Sequence, residues 1–138
     1  MGSADNGPFS NWSERHIAYA AGQGTFSLSD GFITERGIAH RCGSVVTTAE
    51  LPPDARTATG PFANCLYYAD GSCGNCIERC PAGAISEKGH DKIKCGAYLH
   101  DIGYDPQQFA NGYDLERSVA GCGLCQTKVP CEGRNPVS

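Results

Sequence analysis

A chain of 138 residues, 40% of them apolar, is long enough for one compact domain or for one module of a larger enzyme. Its formal net charge of -4 argues against a nucleic-acid partner, because a phosphate-binding face needs a surplus of Lys and Arg. No run of about 18 apolar residues marks a membrane span, and the start, MGSADNGPFSNW, lacks the basic-then-apolar pattern of a signal peptide.

Residues 1–13 read as a leader without structure of its own. Asn11, with Glu14 three residues on, reads as a capping box opening a helix over Glu14 to Ala21. Gly22 and Gly24 stop that helix. Trp12 reads as a packing anchor. A hairpin follows: one strand over Gly31 to Thr34, a turn at Glu35-Arg36-Gly37, and a second strand from Ile38 to Thr48. Val45, Val46, Thr47 and Thr48 are β-branched and suit the second strand. Leu51 to Gly60 is a loop. Residues 14–60 thus form a helix-and-hairpin segment, and residues 61–138 a second unit. Within that unit a helix over Lys92 to His100 carries Cys95. Asp105-Pro106 starts another short helix, and Asp114 caps a third, which Gly121 stops.

The chemistry lies in nine cysteines, eight of them between Asn64 and Cys131. An odd count strands one thiol in any full disulfide framework. With no export signal, the cytoplasm is the expected compartment, where such a pattern signals metal binding or catalysis. The central motif is Cys73-Gly-Asn-Cys76-Ile-Glu-Arg-Cys80-Pro81. It carries three of the four cysteines of the bacterial ferredoxin run C-x2-C-x2-C-x3-C-P, whose last cysteine ligates the other cluster in two-cluster proteins. The missing first cysteine falls at Asp70. Either Asp70 itself or Cys65, the softer donor, fills that place.

The second motif is Cys122-Gly-Leu-Cys125-Gln-Thr-Lys-Val129-Pro130-Cys131. Here Val129 stands where a third cysteine belongs, and Cys131 takes its place if the turn is rearranged. The expectation is two 4Fe-4S clusters. Cys80, Cys95, Cys122 and Cys125 hold one. Cys73, Cys76, Cys131 and either Cys65 or Asp70 hold the other. Cys42 is left over as a small buried hydrophobe on the hairpin. Two CxxC pairs also fit a structural zinc module, but zinc leaves Cys80-Pro81 unexplained. The four histidines stand singly and read as surface or packing residues. Tyr67 and Tyr68 read as a shield over one cluster.

With these motifs in view, the stretch from Glu14 to Asp54 resembles the segment before the clusters of epoxyqueuosine reductases. So does the order CGNCIERCPAGAI, KCGAYL, GCGLCQTKVPC. Related iron–sulfur modules occur in reductive dehalogenases. The resemblance spans residues 14 to 135. It implies an α+β chain, in which an N-terminal helix and β-hairpin precede a ferredoxin-like two-cluster module. It also implies an oxidoreductase whose cobalamin-binding part lies on a partner chain or in a further N-terminal region. The redox partner is then a protein or that cobalamin-binding domain. The family's catalytic aspartate has no counterpart at the matching spacing, since GPFSNWS stands there and Asp5 is misplaced. No catalytic residue is assigned. The alternative is an electron-transfer protein with no substrate of its own.

Overall fold

The computed structural model describes residues 2–4, 7–9, 11–56, 58–104 and 121–138. Among them are four α-helices and three antiparallel two-stranded sheets, a small α+β arrangement. In chain order these are β1 (Gly2–Ala4), β2 (Gly7–Phe9), α1 (Glu14–Ala20), β3 (Gly24–Phe26), β4 (Phe32–Thr34), α2 (Leu66–Ala69), α3 (Asn75–Glu78), β5 (Ile85–Ser86), β6 (Gly89–His90) and α4 (Lys92–Asp101). A 3-10 turn, Leu124–Gln126, follows. The expected leader contains the pair β1–β2. The helices expected after Asp105 and Asp114 lie outside the described residues. Among the described residues no helix is long and apolar enough to cross a membrane.

Helix α1 forms where expected but starts differently. Its N-cap is Ser13, with no side-chain cap bond. The Glu14 carboxylate accepts from Trp12 Nε1 at 2.9 Å instead of closing a box with Asn11. Trp12 is 61% exposed, so it is no packing anchor. Gly22, at φ 78°, ends the helix, and the Gln23 N–H bonds the Ala18 carbonyl. Gly24 does not stop the helix; it opens a strand.

The hairpin is built from other residues than expected. β4 pairs backwards with β3, Gly24 opposite Thr34 and Phe26 opposite Phe32. The turn at Glu35-Arg36-Gly37 does form: Thr34 and Gly37 exchange backbone bonds, and Thr34 Oγ1 accepts from the Arg36 N–H. No strand follows it. The physical reason lies in the donors after the turn. The N–H groups of Ile38 and Ala39 bond the carbonyls of Cys131 and Glu132, so the C-terminal loop takes what a ladder would need. Val45 and Val46, expected in that strand, are 89% and 91% exposed. β-branched residues favour a strand only where a neighbouring edge accepts them.

Helix α4 is well signalled and well made. The Asp91 carboxylate accepts from the N–H groups of Ile93 and Lys94, both at 3.0 Å, which satisfies two donors that the first turn would leave open.

One core spans both halves of the chain. Leu28, Ile33 and Ile38 pack with Cys65, Ile85 and Val129 in a single cluster. Leu28, Ile33 and Ile38 of the helix-and-hairpin segment thus share a core with the cysteine-rich unit. The loop from β3 to β4 is the inserted part. Leu28 at its centre is 1% exposed, and Ser27 and Ser29 on either side are buried too.

Candidate iron–sulfur site

The cysteines sort into two groups. Cys65, Cys73, Cys76 and Cys131 line one cavity, together with Ile33, Tyr67 and Val129. Burial first, and then the neighbouring thiols, raise Cys76 and Cys131: Cys65, Cys73 and Cys125 act on both, and Cys131 acts on Cys76. The second group is linked likewise: Cys95 feels Cys80 and Cys122, and Cys125 feels Cys95 and Cys122. Cys125 also lines the first cavity, so it stands between the groups. All nine cysteines are free thiols.

Each ligand candidate is delivered by a local device. Cys65 is the N-cap of α2 and is 8% exposed. Its neighbour Asn64 is bound to the hairpin through its backbone N–H to Thr25 Oγ1 and its amide to the Ile33 carbonyl, both at 2.9 Å. Asp70, the alternative donor, is fully exposed. Its carboxylate accepts from the Ser72 N–H at 2.9 Å, which closes a turn; the Ser72 side chain first, and this N–H second, hold its pKa below the usual carboxylate range. It is not among the residues lining the cavity.

The Val129 departure is compensated by the backbone. Lys128 takes a left-handed conformation, φ 53°, and its N–H bonds the Glu132 carboxylate at 2.8 Å. The chain then turns from Val129 to Glu132. Val129 drops into the core, and Cys131 swings to the cavity wall.

The two CxxC segments are tied by Arg79. Its Nε donates to the Leu124 carbonyl at 3.0 Å, and a terminal nitrogen donates to Thr127 Oγ1 at 3.5 Å. Cys80 already accepts a backbone hydrogen bond, from the Ala84 N–H at 3.3 Å. N–H donors to cluster sulfur are a means of tuning reduction potential. Of the two tyrosines expected as a shield, Tyr67 lines the cavity. Tyr68 is 45% exposed and packs its ring on Phe62.

Cys42 is half-buried and borders a separate cavity with His40 and Arg41. It lies outside the hairpin and outside both groups, so the expectation of a core hydrophobe on a strand is corrected. Among the histidines, His90 pairs with Asp30 at 3.2 Å, which fastens β6 to the loop between β3 and β4.

The donor set suits a multi-iron group. Among the described residues no group of three or more His, Cys, Asp or Glu side chains is arranged to hold a metal ion. The thiols of the first group line a cavity backed by apolar side chains.

Burial has a pH consequence. It pushes the Cys76 thiol from 9.0 up to about 12, with the neighbouring cysteines adding to the shift. Cys131 rises to about 11, again through burial first and then neighbouring cysteines, with a backbone hydrogen bond offsetting part of the rise. A thiol whose pKa is raised on folding stabilises the fold below its unfolded pKa, and that stability is lost as pH rises through the folded value. The melting temperature of the iron-free chain should therefore fall as pH climbs from about 9 towards 12. The double change Cys76→Ala/Cys131→Ala should flatten the decline. Equal declines for the two proteins, followed by circular dichroism, would refute this.

Comparison with known proteins agrees with this reading. Residues 71–132 match the family model described as a 4Fe-4S double cluster binding domain. The epoxyqueuosine reductase of Bacillus anthracis is 31% identical over 121 residues, 86% of this chain and 29% of that protein. Those of Bacillus subtilis and Staphylococcus aureus are 31% and 29% identical, again over 86% of this chain. The chain thus spans under a third of the length of these relatives. No solved structure matches it.

Proposed function

Because this chain is an epoxyqueuosine reductase-like iron–sulfur protein, we propose that it holds two 4Fe-4S clusters and serves as the electron-transfer part of a reductase. The observation that carries the reading is that Cys65, Cys73, Cys76 and Cys131 line one cavity, where Cys125 joins them, while Cys95 is coupled to Cys80 and Cys122. One cluster is held by Cys65, Cys73, Cys76 and Cys131, the other by Cys80, Cys95, Cys122 and Cys125. When bound, such clusters supply one-electron redox chemistry at potentials set by charge, hydrogen bonds to sulfur and solvent exposure.

The chain's own residues set those conditions. Ile33, Val129 and Tyr67 keep water from the first site. The Ala84 N–H donates to Cys80. Arg79 fixes the spacing of the two motifs. Residues 61–138 make up the ferredoxin-like module in this reading, and the 14–60 segment is the lid whose loop closes it.

A second reading is that the chain is the cluster-bearing part of a reductase acting on an epoxyqueuosine-like substrate, as the relatives' printed names suggest, with cobalamin as the further cofactor that the sequence resemblance implies. The cobalamin-binding part then lies on a partner or in a further region. The experiment for the first reading is anaerobic purification with iron, sulfide and zinc analysis. About eight irons per chain are expected for two clusters. A colourless protein holding zinc and no sulfide would overturn it. Retention of added cobalamin by the purified chain would favour the second reading.

A further inference from the structure

The cysteine segments are fastened to the rest of the chain by unequal means. Cys65 follows Asn64, which is bound to Thr25 and to the Ile33 carbonyl. The carbonyls of Cys131 and Glu132 accept from the Ile38 and Ala39 N–H groups. The loop that carries Cys122 and Cys125 has no such backbone ties. Its own bonds are local: the Gln126 N–H to the Gly123 carbonyl, and the Lys128 N–H to the Glu132 carboxylate. Among the described residues, the hydrogen bonds that join residues 121–128 to a distant part of the chain all come from one side chain, Arg79.

Arg79 is the C-cap of α3 and directly precedes Cys80. Its Nε donates to the carbonyl of Leu124, the residue before Cys125, at 3.0 Å. A terminal nitrogen donates to the hydroxyl of Thr127, two residues after Cys125, at 3.5 Å. The two contacts therefore straddle Cys125. A guanidinium is a rigid planar fork, so two contacts fix orientation as well as separation. The loop needs such a hold. Gly121 and Gly123 both take positive φ, 118° and 66°, and glycine leaves a loop more backbone freedom than any other residue.

We propose that Arg79 is a positioning residue for the cluster held by Cys80, Cys95, Cys122 and Cys125. By clamping the chain on both sides of Cys125 to the residue before Cys80, it sets the separation of these two thiols. The inference rests on the two-cluster reading above. A ligand set accepts its group only when supporting contacts hold it near the productive geometry. Here one side chain supplies that support for the 121–128 loop. The first cluster does not share the dependence, because Asn64, Ile38 and Ala39 fasten its outer ligands. Cys76 lies on α3, whose turn is closed by backbone bonds that a change of the Arg79 side chain leaves in place. The two clusters thus differ in what holds them, and opening the clamp releases only the second.

The test compares the full chain with Arg79→Ala, Arg79→Lys and Thr127→Val after anaerobic loading with iron and sulfide. Arg79→Ala should retain about four irons of about eight and the EPR signal of one cluster. Added to Cys122→Ala, it should remove no further iron, which identifies the cluster it serves. Arg79→Lys, with a single donor head, should load both clusters, with one EPR signal altered and the other as in wild type. Thr127→Val removes the longer contact only. It should load fully and lose one cluster to a chelator roughly tenfold faster than wild type. Full iron with unaltered EPR in Arg79→Ala overturns the proposal. Equal losses from both clusters do so too, since they would mean general loosening. If Arg79→Ala does not fold, the other two variants decide, and wild-type EPR and chelation in both overturn it. A wild-type chain without iron sinks the two-cluster reading itself, and this inference with it, a result distinct from any of these.

Discussion

Replacing Cys65 with alanine should remove one cluster and leave the other, lowering the iron content from about eight to about four per chain. Asp70→Ala should leave the count unchanged. The difference follows from where the two side chains stand. Cys65 is buried in the wall that Cys73, Cys76 and Cys131 share, and two hydrogen bonds from Asn64 to the hairpin fix its backbone. Asp70 is fully exposed and engaged with the Ser72 N–H in its own turn. Thiolate is also the softer donor and suits iron–sulfur chemistry better than carboxylate. Anaerobic iron and sulfide analysis, with EPR of the dithionite-reduced proteins, reads the result. If Asp70→Ala loses four irons while Cys65→Ala keeps eight, the assignment of the first site is wrong.

The reach of sequence reasoning differs between the two halves of the chain for a physical reason. Helix α4 and helix α1 are local events. Their helix-forming runs span 10 and 7 residues, and the structure places both helices where expected, although α1 is capped by Ser13 and not by the expected box. The cysteine motifs are legible for the same reason, since spacing within a tight turn is set by the chain itself. The hairpin was misplaced because its partner is decided at long range. Gly24-Thr25-Phe26 has little strand signal, whereas Val45 to Thr48 has much. What settles the matter is that Cys131 and Glu132, more than ninety residues on, accept the bonds of Ile38 and Ala39. The buried pair Ser27 and Ser29 was missed too. Two serines in a short polar-looking run, SLSDG, read as an ordinary turn. Only the structure sets them in the wall of the cavity that the cysteines of the other half line.

That long-range contact makes the second large prediction, at a residue with no cluster chemistry of its own. Gly37→Ala should destabilise the fold and cost the cluster held by Cys131. Gly37 sits at φ 85°, and a Cβ there would lie 2.3 Å from the Glu132 carbonyl oxygen, 2.5 Å from the Arg134 nitrogen and 2.6 Å from the Cys131 carbonyl oxygen. All three are backbone atoms, so no side chain can swing aside. A non-glycine residue in this conformation costs roughly 1–3 kcal/mol before any clash is counted. Relief comes only by pushing the 131–134 segment away, and that segment carries the ligand that stands in for Val129. By contrast, Gly60→Ala has open space around its Cβ and serves as the control. Gly37→Ala should show a lower melting temperature and about four irons per chain, while Gly60→Ala behaves as wild type. A Gly37→Ala protein with full iron and unchanged melting would mean that the 131–134 segment is not held by this glycine. Cys131 would then have to be positioned by the Lys128–Glu132 turn alone.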